Sequence, residues 1–449
     1  MGGFNVGAAT AISSQTGLGA GIDVSSYVQA ALAQQSAPLT IAQQQQAQLT
    51  TQTTALNTLG SQLQDLQTAL EALSDPAGQF NSLSVTTSDP TLLVASATAG
   101  TAAGNHTITI TNLATTSSEY SKELSSSSTT TNTGSFQIQV GTGKPVPINV
   151  TSANNTLAGI ASAINAAGAG VTANVVNDAG GARLSIVSNT GGAPGDLTIS
   201  NDTVGLGFTK AVTGVNAQLN VDGVPISSTS NTVTGAINGV TLNLVGANPA
   251  TPVSLSIAPD TTQAEAAINS FVSAYNTVVT GLNAQFTVDP TTGQQGPLGT
   301  DSSATLVQSE VLAAAAYAPG GSSTITNLTS LGLNFNNDGT ITVDQGALAS
   351  ALQSNYSAVQ NFLQGSSTAF ATNFLTNLQN LTDPSQGVIA LDLNGISNTQ
   401  QSLTQQISDF QAQLAVTQQT LTAYYSQIDT TLQELPLLQA QVASQLSSI

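Results

Sequence analysis

The segment that comes nearest to a metal-binding motif is Asn334-Phe335-Asn336-Asn337-Asp338-Gly339. Donors at alternate positions followed by glycine are how a calcium loop begins. Such a loop closes on a bidentate Glu at its twelfth position, and here that position is Gln345. The first donor is a neutral Asn, and both flanks alternate like strands. The segment therefore reads as a hairpin turn at Asn337-Asp338-Gly339, not a metal site.

Other candidates fail in the same way. Gly17-x-Gly19-x-Gly21 has neither a preceding strand nor the spacing of a dinucleotide loop. Gly143-Lys144 lacks the upstream glycine of a phosphate loop and runs into Pro145. His106 is the single histidine and there is no cysteine, so no triad or metal set can be built around it. It is expected to face solvent on an alternating strand. Carboxylates stand singly beside Gly or Pro (Asp75, Asp222, Asp289, Asp338, Asp383), and few aromatics exist to line a sugar cleft. Asn-x-Thr triplets at Asn105, Asn154 and Asn327 are what so Asn/Thr-rich a chain produces by chance. The expectation is a non-enzymatic protein without catalytic residues, cofactor or metal.

Composition narrows the partners. Only 6% of the 449 residues are charged, four basic against 23 acidic, where soluble domains carry about 25%. All four basic residues, Lys122, Lys144, Arg183 and Lys210, fall in one stretch. No patch could neutralise phosphates, so neither nucleic acid nor an anionic membrane surface is an expected partner. Solubility must come from Ser, Thr, Asn and Gln. The first 40 residues lack the basic and apolar regions of a secretory signal, and no run approaches the ~20 apolar residues of a membrane span. An exported chain of this kind would leave its cell without a cleaved signal.

The elements that would position any function are periodic. Residues 1–24 are Gly/Ala/Thr-rich without a period and are expected to be disordered when free. A helix is expected from Ser25 or Ser26, interrupted by Pro38, and a long one from Leu39 to Ser74. Leu49, Gln52, Leu56, Leu59, Leu63, Leu66, Leu70 and Leu73 step by 3 and 4, a heptad seam. From Phe80 to Pro259 the period is 2, as in Thr107-Ile108-Thr109-Ile110, with a hairpin turn at Asp222-Gly223 and one helix over 156–167. Helical spacing returns at Thr261, with shorter helices expected over 303–316, 345–362 and 367–381. It is clearest in Leu403, Ile407, Phe410, Leu414, Thr417, Leu421, Tyr424 and Ile428. A helix over 396–435 would be ~60 Å long and kinked at Pro436. The two rods bracket the strands, so they should pair antiparallel. Their flanks carry Gln and Thr and no Lys or Arg, so salt bridges cannot set the pairing.

The fold class expected is α+β multidomain: an antiparallel helical leg built by both chain ends, with two β-rich heads inserted. The leg comprises 25–79 and 260–449, the first head 80–115 and 216–259, and the outer head 116–215. The leg-packing seam is Leu56, Leu59, Leu63, Leu66, Leu70, Leu403, Ile407, Phe410, Leu414, Leu421, Tyr424 and Ile428.

Several blocks also resemble a known family. Gly17-Leu18-Gly19-Ala20-Gly21-Ile22-Asp23-Val24-Ser25-Ser26-Tyr27-Val28, followed by Ala37-Pro38-Leu39, resembles the opening of the flagellar hook-associated protein 2 family. Asn155 to Ala167, with Val171-Thr172-Ala173 and Arg183 to Asn189, resembles the IN motif that hook-associated proteins and some flagellins share. Val221-Asp222-Gly223-Val224, Ile237-Asn238-Gly239-Val240 and Phe271-Val272-Ser273-Ala274-Tyr275-Asn276 resemble the family's second block. Members usually carry more charge in their helices, so no inter-subunit salt bridge is transferred. The resemblance implies a ring, commonly a pentamer, at the distal tip of the flagellar filament, with helical legs pointing into the filament and β-rich heads forming a plate. It implies flagellin, the hook–filament junction proteins and an export chaperone as partners, and export by the flagellar type III apparatus to the extracellular tip. A flagellin-like or junction protein, or a stalked surface adhesin, is the alternative.

Overall fold

The computed structural model describes residues 23–320 and 324–446. Most of the segment expected to be disordered, residues 1–22, and the terminal Ile449 lie outside the described residues. Eight α-helices are present among those described: α1 (Val24–Gln35), α2 (Ala37–Ser74), α3 (Leu157–Ala166), α4 (Thr261–Phe286), α5 (Ser302–Ala315), α6 (Gln345–Gln364), α7 (Phe370–Thr382) and α8 (Val388–Leu446).

The helix ends follow local chemistry. Helix α1 starts one residue earlier than Ser25, because Asp23 caps it and accepts from the backbone N–H of Ser25 and Ser26 at 3.1 and 3.2 Å. The break between α1 and α2 falls at Ser36. Pro38 stands in the first turn of α2, where its missing N–H has no partner to lose. Helix α8 corrects the sequence reading at both ends. It is one helix of 59 residues, about 90 Å long. Pro436 lies inside it, and the helix continues to Leu446. In α6, by contrast, Asn355 leaves helical geometry.

The strands form nested sets. Leu83–Thr87, Val253–Pro259, Gly104–Asn112, Ala217–Val221 and Val224–Ser228 make one antiparallel sheet in that order. Thr232–Thr234, Val240–Leu244 and Leu93–Ala97 make a second. Their facing side chains, among them Leu93, Ile108, Ile110, Leu219, Leu242 and Leu255, share one core. Farther along the chain, Thr209–Val212, Ser118–Tyr120, Ala182–Ser188 and Val171–Asn177 form a four-stranded sheet. Val146–Val150, Gly134–Val140 and Leu197–Ser200 form a three-stranded one. These two enclose Phe136, Ile138, Leu184 and Ile186 with Leu157, Ile160 and Ile164 of α3.

Each set is entered and left through paired backbone. Leu83 pairs with Pro259, and the Asp260 N–H donates to the Ser82 carbonyl at 2.8 Å, so α2 ends beside the start of α4. Asn112 pairs with Gln218, and the Thr115 N–H donates to the Val215 carbonyl at 3.0 Å, where the outer set begins and ends. The tight turn at Asp222-Gly223 has φ of 53° and 86°, the left-handed pair that a two-residue hairpin requires.

A third core is helical. Leu56 to Leu73 of α2 join Phe271 and Tyr275 of α4, Val307 and Val311 of α5, Phe362 of α6, Phe370 and Phe374 of α7, and Ile389 and Ile396 of α8. Edge-to-face rings tie it together, Phe271 to Phe370 at 5.8 Å and Phe271 to Phe374 at 6.0 Å. The heptad reading paired α2 antiparallel with the C-terminal helix in one bundle. In the structure α2 packs chiefly on α4, α8 and α7.

Candidate functional site

Below the helical core, α1 and the first half of α2 run antiparallel to α8. Three contacts fix the direction. The Gln46 amide donates to the Thr404 hydroxyl at 3.0 Å. Gln34, Gln35 and Pro38 line a cleft with Phe410, Gln413, Leu414 and Thr417. The Tyr27 and Tyr425 rings stack at 5.7 Å.

The expected seam residues separate into four groups. Leu56, Leu59, Leu63, Leu66 and Leu70 are buried in the helical core. Leu403 is buried on α8 outside that core. Ile407, Phe410, Leu414, Leu421 and Ile428 are half-buried along α8. Tyr424 is 59% exposed, and it is the next residue, Tyr425, that stacks on α1. The sequence reading also missed Val28, which is buried, and Tyr27 on the same helix. Their adjacency on a short helix left no period to find.

The leg is held without charge. Neither α1, α2 nor α8 contains Lys, Arg or His, so no side-chain ion pair can form between them. Another cleft between α2 and α8 is lined by Gln43, Gln46, Ala47, Thr50, Ser397, Gln400, Gln401 and Thr404. Threonine is a poor helix former, and in α2 its hydroxyls donate back one turn, as Thr50 to the Gln46 carbonyl at 2.8 Å and Thr53 to the Leu49 carbonyl at 2.8 Å. These bonds satisfy the hydroxyls inside one helix and leave the surface with few fixed partners. The ion pairs found among the described residues, Arg183–Glu123 and Lys210–Asp196, and the His106–Asp222 contact all lie in the β-rich region.

The leg is joined to the strands rigidly. Phe80 is buried and stacks on Tyr356 at 5.3 Å, and the Tyr356 hydroxyl donates to the Phe80 carbonyl. Burial pushes that hydroxyl up to about 12, with the nearby charge of Asp260 adding to it. The Asn81 amide donates to Gln364 at 2.9 Å, and Gln360 donates to Asn81 at 2.8 Å.

The chemistry-bearing segments hold structure. Leu333–Phe335 and Ile341–Val343 pair antiparallel around the Asp338-Gly339 turn, and Asp338 accepts from the Thr340 N–H and hydroxyl at 3.0 and 2.6 Å. Those bonds hold the Asp338 carboxyl below its ordinary value. Tyr275 donates to the Gly339 carbonyl, and Asn276 makes two bonds to the backbone of Ile341, docking the hairpin on α4. His106 departs from expectation: its ring is only 23% exposed, and Nδ1 lies 2.7 Å from Asp222 Oδ2. Asp222 also accepts from the Thr107 N–H at 2.8 Å, so the pair pins a hairpin turn to the neighbouring strand. Among the described residues no three His, Cys, Asp or Glu side chains converge as a metal site. No helix among them is long and apolar enough to cross a membrane.

Known proteins share this plan. The family profile for the N-terminus of flagellar hook-associated protein 2 matches residues 20–117, and that for its C-terminus matches 214–436. The profile of the flagellin hook IN motif matches 135–190. The flagellar hook-associated protein 2 of Escherichia coli K12 is 30% identical over 87% of this chain and 89% of its own length. The B-type flagellar hook-associated protein 2 of Pseudomonas aeruginosa is 28% identical over 89% of this chain and 90% of its own. The crystal structure of the D1-D2-D3 domains of the E. coli flagellar cap protein FliD superposes with a TM-score of 0.60 at 28% identity, covering 76% of this chain and 99% of that one. Two family profiles flanking an IN motif, on a helical core with nested β sets, lead to one conclusion: the chain belongs to the flagellar hook-associated protein 2 family.

Proposed function

We propose that this protein is a structural cap at the distal end of the bacterial flagellar filament, working outside the cell as a homo-oligomeric ring. It retains exported flagellin and promotes its folding and insertion. The observation that carries this reading is the leg, a pair of antiparallel helices joined rigidly to the heads and free of ion pairs. A leg that must keep its direction while exchanging contacts needs a stiff core and a weakly binding surface. Packed leucines supply the first, and Gln/Thr flanks the second. In this reading residues 25–79 with 260–449 are the leg, 80–115 with 216–259 the first head and 116–215 the outer head. The seam residues from Leu56 to Ile428, Tyr424 excepted, hold the leg. The ring is a pentamer, the further partners are the hook–filament junction proteins and an export chaperone, and the route out is the flagellar type III system. The chemistry is structural and not catalytic.

The test is complementation of a deletion strain. Loss of the gene is expected to leave intact hooks, unpolymerised flagellin in the medium and no motility, with filament growth restored by purified protein. Leu414→Asp with Leu421→Asp is expected to abolish that rescue. Filaments of normal length in the deletion strain, or full rescue by the double variant, would refute the reading.

A further inference from the structure

The chain passes between the two heads twice, outward through residues 113–117 and back through 212–216. The heads have separate apolar cores. A joint of that kind ordinarily swings, because no shared core holds its angle.

Here a polar clamp closes on the joint. From the first head, the Asn231 side chain accepts from the Ala114 N–H at 2.6 Å and donates to the Ala114 carbonyl at 2.9 Å. From the outer head, residues 190–196 lie across both connecting strands. The Gly192 N–H donates to the Thr115 carbonyl at 3.0 Å, and the Ala193 N–H donates to Asn216 Oδ1 at 2.8 Å. The Gly214 N–H donates to Asp196 Oδ1 at 2.9 Å. Glycine makes the approach possible. At Gly192, whose φ is 74°, a Cβ would sit 2.6 Å from Asn216 Oδ1 and 2.8 Å from Thr229 Cα of the first head.

Asp196 is the centre of the clamp. It also accepts from the Ser117 hydroxyl at 3.0 Å, and the Lys210 ammonium donates to its two oxygens at 3.1 and 2.9 Å. Lys210 stands opposite Glu119 in the strand register, and Glu119 is buried. One cation therefore serves two carboxylates, which repel each other without it. We propose that Lys210 and Asp196 form a releasable latch that fixes the angle between the two heads. With the latch closed the heads move as one body; with it open the outer head swings on its two connecting strands.

The chain contains no cysteine, so Val176→Cys on the outer head and Val94→Cys on the first, both exposed, accept two spin labels. Electron–electron double resonance on the full chain reads the spread of distances between the heads. Dilution with unlabelled protein removes distances between copies. One narrow distribution is expected at about 0.05 M sodium chloride. Lys210→Met keeps the aliphatic stem and should widen it about twofold or more. Raising sodium chloride to about 1 M should widen the distribution of the otherwise unsubstituted protein and leave that of Lys210→Met as it is. Gly192→Ala, which wedges the loop off the first head, should widen it as well. Amide exchange over 182–188 should stay unchanged in Lys210→Met, which separates swinging from unfolding of the outer head. Faster exchange there would overturn the proposal, because Lys210 would then hold the head together and not its angle. So would a wide distribution in the protein with Lys210 and Gly192 intact at low salt, or an equally narrow one in Lys210→Met and at high salt. The readout needs no filament, so its failure is separate from failure of the cap reading.

Discussion

The ring of Tyr27 stacks on that of Tyr425, centroids 5.7 Å apart and planes 28° from parallel. This pair joins the first described helix to the last, near the far end of the leg. Beside it, α1 offers only one buried side chain, Val28. Removing either ring should therefore free α1 without touching the core. Tyr27→Ala or Tyr425→Ala is expected to lose about 1 kcal/mol of local stability. Amide hydrogen exchange over 24–35 should accelerate while exchange in α4 stays unchanged. The Tyr424 ring meets that of Tyr425 edge-on at 5.6 Å but does not reach α1 by stacking, so Tyr424→Ala should have a clearly smaller effect, and an equal one would show the stacking assignment to be wrong.

Leucines of one heptad run should differ sharply in cost. Leu63 is fully buried among α2 and its core neighbours, whereas Leu421 is half-buried on α8. Leu63→Ala is expected to destabilise by roughly 2–5 kcal/mol, and Leu421→Ala by less than about 2 kcal/mol. Urea unfolding followed by circular dichroism would measure both. Similar losses would mean that the lower leg is packed as tightly as the core.

Which elements exist was legible in the sequence; how they pair was only partly so. Leu56 to Leu73 announced a helix with one apolar face, but an apolar face does not name its partner, and α4 and α7 share it with α8. The choice of Tyr424 over Tyr425 came from the period. A strict heptad advances 3.5 residues per turn while a straight helix turns every 3.6, so over several heptads the inward position slides by one. Pro436 suggested a kink, because proline removes one backbone bond and crowds the preceding turn. That local loss does not stop the helix from continuing. The His106–Asp222 pair joins residues 116 apart in sequence, a relation that strand order creates and no local pattern carries.

Salt should separate the leg from the heads. Every basic residue lies between 122 and 210, so elsewhere charges only repel. Raising sodium chloride from about 0.05 M to about 1 M should leave the leg's thermal stability unchanged or slightly higher. The half-exposed pairs Arg183–Glu123 and Lys210–Asp196 should weaken over the same range. Hydrogen exchange read separately over α8 and over 118–123 would resolve the two. Faster exchange of α8 in high salt would contradict a leg held without ion pairs.

The root of α8 should respond to pH. Asp392 faces Asp301, whose carboxylate caps α5 by accepting from the Ser303 and Ala304 N–H groups at 2.7 and 3.3 Å. Oδ2 of Asp392 is buried with no hydrogen-bond partner. Burial first, then the charge of Asp301, hold the Asp392 carboxyl above its ordinary value, and the Ser303 hydroxyl offsets part of this. Folding therefore takes up a proton here. The resulting stability is full below the unfolded-state value, near pH 4, and is lost as pH rises through the higher folded-state value. Carboxyls held low elsewhere, such as Asp23 at about 2, act in the opposite sense at more acidic pH. The contribution is therefore isolated by difference. Asp392→Asn keeps the shape and cannot ionise, so its stability relative to the unsubstituted protein should grow as pH rises from 4 toward neutrality and then level off. Asp301→Asn keeps the cap, removes the opposing charge and should reduce the same slope. A difference independent of pH in both variants would mean that Asp392 is ionised throughout and that its orphaned oxygen is solvated.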